Sequence, residues 1–153
     1  MPYTITTFLT RKPGTTPQQF KTHYETVHIP LLKLKVGPLF PISHTRHYIT
    51  RTPSNLSSSD TTNDNYKPTV YGGTAEDFDN DVHAVLVFAS FDQFLAFASE
   101  VGEMADKDEE WKDDCGRFLD VRGRGGGMKS VAVEEAVVTL CQAPSEAQLI
   151  NLA

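Results

Sequence analysis

Apolar side chains recur along this chain with two periods, about two and about 3.6 residues, and the switches between them mark out its elements. Residues 3–9, rich in Thr, Ile and Phe, predict a first strand. The turn Arg11-Lys12-Pro13-Gly14 follows, with Thr16 as N-cap and Pro17 at the first position of a helix over residues 17–28. Pro30 cannot continue that hydrogen-bond ladder, so the helix should kink or restart there and finish before Gly37-Pro38. Alternation over 45–51 predicts a second strand, and the nearly continuous apolar run 82–89, interrupted by His83, a third. Phe91, Phe94, Leu95, Ala98 and Val101 stand at helical spacing and predict a helix over 91–104. Trp111, Cys115 and Phe118 mark the inward face of another helical piece over 108–119. A last strand is expected over 131–140, its centre interrupted by Glu134 and Glu135.

The order strand, helix, strand, strand, helix, strand is the split β-α-β arrangement of an α+β, ferredoxin-like βαββαβ fold. With 153 residues, 39% of them hydrophobic, the chain can build one real core, and residues 1–153 are expected to form a single domain. Ser, Thr, Asn, Asp and Gly dominate residues 52–81, a long loop of the kind that serves as a lid or stays poorly ordered. One sheet with helices on a single face leaves its other face bare. Ile5, Val85, Val87, Val131 and Val133 offer apolar side chains to more than one face, which a solvated sheet would not want. A symmetric homodimer whose sheets meet face to face would cover them.

Composition narrows the partners. A formal charge of −6 argues against nucleic acid or an anionic membrane surface. No apolar run reaches the length of a membrane span, and the N-terminal Met-Pro-Tyr-Thr-Ile-Thr-Thr lacks a signal pattern. Cys115 and Cys141 lie far apart without metal or redox spacing, so they read as reduced thiols of a cytoplasmic protein. The Asn55-Leu56-Ser57 glycosylation triplet is then accidental. Asp77-Phe78-Asp79-Asn80-Asp81 invites a calcium-loop reading, but Val82 and Phe88 stand where that loop needs Gly and Glu. Arg122-Gly123-Arg124-Gly125-Gly126-Gly127 reads as a linker rather than an RNA-binding tract. Histidine and acid spacings match no recurrent zinc or iron site, and nucleotide-binding glycine motifs and serine–histidine nucleophile signatures are absent. No cofactor and no metal are expected.

What chemistry remains is concentrated in His23-Tyr24-Glu25-Thr26-Val27-His28-Ile29-Pro30. Phe20, Tyr24 and His28 recur every four residues and project from one helix face, which apolar neighbours make the buried one. A phenol and an imidazole one turn apart in a partly dry place are candidate acid–base equipment, because imidazole changes charge near neutral pH; the alternative reading is two core amphipaths with satisfied polar tips. A second polar cluster, Ser43-His44-Thr45-Arg46-His47-Tyr48, opens the second strand. Alternation puts His44, Arg46 and Tyr48 on one face and Thr45, His47 and Ile49 on the other. If the first set faces the helix, it meets Tyr24 and His28 across the interior, and Arg46 can hold a carboxylate or phenolate in bidentate fashion; otherwise His44 and Arg46 are surface residues of an edge strand.

Taken together, these segments resemble the EthD-domain proteins of fungal type, within the dimeric α/β-barrel superfamily. The resemblance rests on Arg11-Lys12-Pro13-Gly14, Phe20, His23-Tyr24-Glu25 and His28-Ile29-Pro30-Leu31. It continues through Gly37-Pro38 with Pro41, Ser43-His44-Thr45-Arg46, Tyr48, Asp77-Phe78-Asp79, Asp81, Phe88, Phe94 with Phe97, and Asp108-Glu109-Glu110 before Phe118-Leu119-Asp120. The loop at 52–81 and the Gly-rich stretch depart from the family pattern. The resemblance implies a cofactor-independent lyase, a decarboxylase or dehydratase, acting on an aromatic polyketide in fungal secondary metabolism. His28 matches the family's histidine before the proline and would transfer the proton; Tyr24 and His44 match companion catalytic positions. Arg46, Tyr48, Phe20 and Phe8 would bind the small aromatic polyketide. The resemblance leaves a cofactor-free oxygenase or cyclase on a phenolic polyketide as an alternative, and a non-catalytic accessory protein that shelters an aromatic ligand in the same pocket is a reading of a different class.

Overall fold

In the computed structural model, residues 1–54, 66–134 and 136–140 are described. Strand β1 spans Tyr3–Leu9 and leads through the Lys12–Thr15 turn into helix α1, Pro17–His23. Thr16 caps α1 as expected: its hydroxyl accepts from the Gln19 amide at 3.1 Å while the Gln19 side chain accepts from the Thr16 amide at 2.8 Å. A π-turn over Tyr24–His28 follows, and the chain restarts as α2, Ile29–Val36, with Pro30 in its first turn. Pro30 therefore opens a helical segment instead of ending one, because its missing N–H falls where a helix start leaves donors unpaired anyway. Gly37, at φ +52°, then turns the chain, a conformation that side chains rarely adopt.

Strand β2 is Ser43–Tyr48, β3 Arg51–Pro53 and β4 Tyr66–Pro68, the last two pairing as a short hairpin. Strand β5, Val82–Phe88, is followed by α3, Phe91–Lys107, α4, Glu109–Phe118, and β6, Met128–Val133. The main sheet has the order β2-β5-β1-β6 and is antiparallel throughout, the ferredoxin-like arrangement that the element order implies.

Two strands differ from the sequence expectation, each because its partner runs out. Strand β2 stops at Tyr48, paired with Val82, the first residue of β5; beyond it the Ile49 amide bonds to the Asp81 carbonyl at 2.9 Å. Strand β6 begins at Met128 and ends at Val133, paired with Thr4 one residue from the start of β1, so residues 134 and 136–140 carry no ladder. The Gly-rich run forms a short 3₁₀ turn against Asp120. At Gly127, with φ +79°, a Cβ would come within 3.0 Å of the Asp120 backbone, so only glycine fits. The Asn55-Leu56-Ser57 triplet and Cys141 lie outside the described residues.

Side-chain alternation divides the sheet. Ile5, Leu9, Val82, Ala84, Leu86 and Phe88 point at the helices and are buried. There they pack with Leu32, Val36, Phe97, Met104 and Trp111 in one cluster, and with Phe20, Tyr24 and Phe118 in another. The opposite face presents Phe8, Val85, Val87, Val131 and Val133, the last two 54% and 40% exposed. Ile5 belongs to the helix side.

A buried ion cluster fastens the end of β1 to the long excursion. Asp81 accepts from the Arg11 Nε at 2.9 Å and stands 2.7 Å from the Arg51 Nε. Arg51 also donates to the carbonyls of Phe78 and Asn80. All three side chains are at most 6% exposed, so the carboxylate compensates two desolvated guanidiniums. Asp81→Asn is expected to lower the unfolding free energy by about 3–5 kcal/mol, read as an earlier urea midpoint at unchanged slope.

Candidate active site

The π-turn is where helix geometry and site chemistry meet. Its signature bond runs from the Ile29 amide to the Tyr24 carbonyl, five residues back. On a regular helix His23 and His28, five apart, would point about 140° away from each other. The wider turn swings them together, and both imidazoles reach one carboxylate on α4. His23 Nε2 stands 2.7 Å from Asp114 Oδ1, and His28 Nδ1 2.7 Å from Asp114 Oδ2. Asp114 is buried between Trp111 and Phe118 on the inward face of α4. Burial alone would raise its pKa, but the hydrogen bonds from His28 and His23 prevail and hold the carboxyl below its ordinary value. The ionised carboxylate accepts from both rings, which fixes the proton of His28 on Nδ1 and leaves the Nε2 lone pair available. Trp111 and Phe118 flank the His28 ring at centroid distances of 4.7 Å each. The ring keeps 8% of its surface accessible.

The set His44, Arg46 and Tyr48 does face the helix, and the carboxylate it meets is Glu25, from the same π-turn. Arg46 donates from Nε and Nη2 to the two Glu25 oxygens at 2.7 and 2.9 Å, and the Tyr48 hydroxyl donates to Oε1 at 2.6 Å. The third Arg46 nitrogen, Nη1, donates to the His44 carbonyl at 2.8 Å. The Arg46 hydrogen bonds hold the Glu25 carboxyl below its usual range. Burial, reinforced by Glu25, pushes the Tyr48 phenol well above its own.

Tyr24 lies between these two centres. Its ring is 5.5 Å from His28, 6.0 Å from Phe20 and 6.5 Å from Tyr48, and its hydroxyl is 3.4 Å from His44 Nε2. Desolvation raises the Tyr24 pKa far out of the physiological range, so it remains a neutral hydroxyl that can donate a hydrogen bond. The same cause, with the Arg46 charge beside it, lowers His44 to about 4. His44 is thus neutral at pH 7, and its buried Nδ1 has no hydrogen-bond partner among the described residues. Cys115, one residue past Asp114, has its thiol pushed up to about 12 by burial and is not a nucleophile.

Six of the residues singled out from the sequence, Phe20, Tyr24, His28, His44, Arg46 and Tyr48, therefore converge on one side of the sheet. Phe8 does not join them; it lies on the opposite face, stacked on His83 at 5.2 Å. Asp114, Glu25 and His23 complete the arrangement and were not assigned from the sequence. Among the described residues no group of three His, Cys, Asp or Glu side chains is disposed to hold a metal. An open cleft of about 440 Å³ runs beside Tyr48, Thr50, Pro68, Val70 and Phe78. A smaller one of about 100 Å³ lies between Phe20, Lys21 and Tyr48. Tyr48 borders both, and so joins the buried polar cluster to accessible space.

A model of the EthD domain matches residues 12–122, which include all nine residues of this cluster. The chain belongs to the EthD domain family. Two solved EthD structures are similar in outline. One, an EthD family protein from Bacillus halodurans, is 12% identical with a TM-score of 0.40, over 89% of this chain and all of that one. The other, an EthD-like protein from Ralstonia eutropha, is 14% identical with a TM-score of 0.45, over 90% of this chain and 93% of that one. No curated protein matches. No helix among the described residues of this EthD protein is long and apolar enough to cross a membrane.

The buried His44 fixes the sign of one pH effect. Its unfolded imidazole takes up a proton as pH falls below its ordinary 6.5, whereas the folded one resists to about 4. Stability should fall across that window by at most about 3 kcal/mol. Glu25 and Asp114, both depressed, lose their stabilising contributions at lower pH, as it drops through their folded values. Urea unfolding between pH 6.5 and 4 should show this slope in the native chain and a flatter one in His44→Gln.

Proposed function

We propose that this EthD protein is a cofactor-independent lyase, a decarboxylase or dehydratase, acting on an aromatic polyketide intermediate of fungal secondary metabolism. The observation that supports it best is the His28–Asp114 hydrogen bond of 2.7 Å. A buried carboxylate that fixes one imidazole nitrogen leaves the other to take and return a proton, which is the machinery general acid–base catalysis requires. Loss of CO2 or water from such a substrate needs no redox group, because an adjacent ketone or phenol accepts the electron pair of the breaking bond.

In a decarboxylation, protonated His28 delivers its Nε2 proton to the ring carbon bearing the carboxylate. The carbon–carbon bond then breaks, CO2 leaves, and the bonding pair restores the aromatic ring. In a dehydration, neutral His28 removes the proton next to the carbonyl and the hydroxyl departs as water with a returned proton. The neutral Tyr24 hydroxyl and His44 stand beside it to donate to developing oxyanion character. Arg46, with three nitrogens engaged, serves by holding Glu25 and the β2 backbone, and Tyr48 carries that order to the cleft. Cytoplasmic placement suits the half-buried free thiol of Cys115.

We propose in addition that the protein is a homodimer through the open sheet face, where Phe8, Val85, Val87, Val131 and Val133 form the apolar surface. Light scattering should give twice the 17.0 kDa chain mass, and Val131→Asp should give the single mass with the fold retained. A wild-type chain of single mass at micromolar concentration would overturn the dimer.

Candidate aromatic acids and hydroxy-ketones, assayed with and without oxygen while CO2 release is followed, test the reaction. Turnover should be indifferent to oxygen; an absolute oxygen requirement would make the protein an oxygenase instead. His28→Ala should lower turnover by about two or more orders of magnitude with the fold unchanged. Asp114→Asn should lower it by about tenfold or more, and Tyr24→Phe by less. Full turnover in His28→Ala would remove the acid–base role from this residue.

A further inference from the structure

The open sheet face carries one group that the lyase reading leaves unused. His47 on β2 and His83 on β5 are direct cross-strand partners, and their rings lie 5.7 Å apart at 34°. They alternate out of phase with His44, Arg46 and Tyr48, so they face away from the acid–base cluster. His47 is exposed and His83 half-buried, and neither ring has a hydrogen-bond partner among the described residues. His83 is stacked almost parallel on Phe8, its other cross-strand neighbour, at 12°. The row ends in Lys129, opposite Phe8, whose ammonium is paired with Asp79 at 3.0 Å.

We propose that His47 and His83 form a chelating site for a late first-row divalent metal ion, such as Zn²⁺, Ni²⁺ or Cu²⁺, at this end of the sheet. Neutral imidazole is the side chain best suited to these ions, and affinity rises along the series to copper. Two imidazoles bound to one tetrahedral ion through nitrogens at about 2.0–2.1 Å have ring centres roughly 5 Å apart. The observed spacing is within reach of side-chain rotation alone. The β-ladder fixes both backbones and the Phe8 stack limits the His83 ring, so little freedom is lost on closing the chelate. Two protein ligands leave the remaining positions to water at the β2 edge of the sheet or, in the proposed homodimer, to groups of the facing sheet. The one cation of this cross-strand row, Lys129, is paired with Asp79, so a divalent ion meets no uncompensated positive charge from the row. The proposal is independent of the proposed reaction, because none of its residues touches the acid–base cluster.

The test is zinc titration of the untagged full chain at pH 7.5, by calorimetry and by NMR of the imidazole resonances. About one ion should bind per chain, with the His47 and His83 signals moving and those of His23, His28 and His44 staying in place. His47→Gln, a change at an exposed position, should weaken binding at least tenfold, and His47→Gln with His83→Gln should abolish it while far-UV dichroism is unchanged. Binding should weaken on acidification, since protons compete for the same nitrogens. Undiminished zinc binding in the double variant would overturn the proposal, as would no binding by the native chain at millimolar zinc or shifts confined to other histidines.

Discussion

The structure depends on one carboxylate in the wrong kind of place. Asp114 is buried in an aromatic wall, where an isolated charge would be costly. Two imidazole N–H groups satisfy its two oxygens, and they can do so together only because the helix that carries them opens into a π-turn. The turn in turn has a place to form because Pro30 has no amide hydrogen for a regular ladder. Proline, π-turn, histidine pair and aspartate are thus one device. It ties α4 to the α1–α2 segment by polar bonds within an apolar interface, and it fixes the tautomer of His28. Any change that relaxes the turn to a regular helix would release one histidine and leave half of a buried carboxylate unsatisfied.

The same arrangement is built three times with different partners. Asp114 has two imidazoles, Glu25 has a guanidinium and a phenol, and Asp81 has two guanidiniums. The choice of partner decides what each can do. Permanently charged arginines around Asp81 and Glu25 lock those carboxylates as anchors, because guanidinium cannot give up its proton. Imidazole can both donate and accept, so the Asp114 centre alone among the three pairs its carboxylate with rings that keep a second nitrogen free of it. Between the Asp114 and Glu25 centres lie Tyr24 and His44, both kept neutral by burial. An imidazole–carboxylate centre, a neutral donor and a fixed anchor therefore stand in a row from the core to the Tyr48 clefts.

How much of this could be read from the sequence follows the range of the interactions. The elements of the main sheet and its helices, the Thr16 cap, the restart at Pro30 and the buried face of Phe20, Tyr24 and His28 are local and were legible, whereas the short β3–β4 hairpin was read as loop. So was the grouping of His44, Arg46 and Tyr48, since it follows from strand alternation, although which group faced the helices depended on the sheet. Asp114 was missed because it is separated by 86 residues from His28, and no spacing rule spans that distance. The signal was present in a weaker form: Trp111, Asp114 and Phe118 stand at positions i, i+3 and i+7 of a helix, a lone acid on an apolar face. The π-turn was illegible for a related reason. A regular helix and one with an extra residue in its turn have nearly the same apolar pattern, and only the Asp114 contact distinguishes them. The strand ends were misplaced where the partner strand, not the strand's own sequence, set the limit.

Strand β2 shows why site and fold cannot be separated here. It is an edge strand of alternating polar residues, with weak hydrophobic instruction about which face belongs inside. A slip of one residue would send His47 inward and His44, Arg46 and Tyr48 outward. What opposes the slip is the bidentate grip of Arg46 on Glu25, the Tyr48 hydroxyl on the same carboxylate, and the Ile49 amide on the Asp81 carbonyl. Two of these three constraints belong to the polar cluster itself. Removing Glu25 would therefore do more than delete a carboxylate near the His28–Asp114 pair: it would free the strand that presents His44 to Tyr24 and His47 to His83. The polar groups that arrange the chemistry on one side of the sheet also set the register on which the histidine pair of the other side depends.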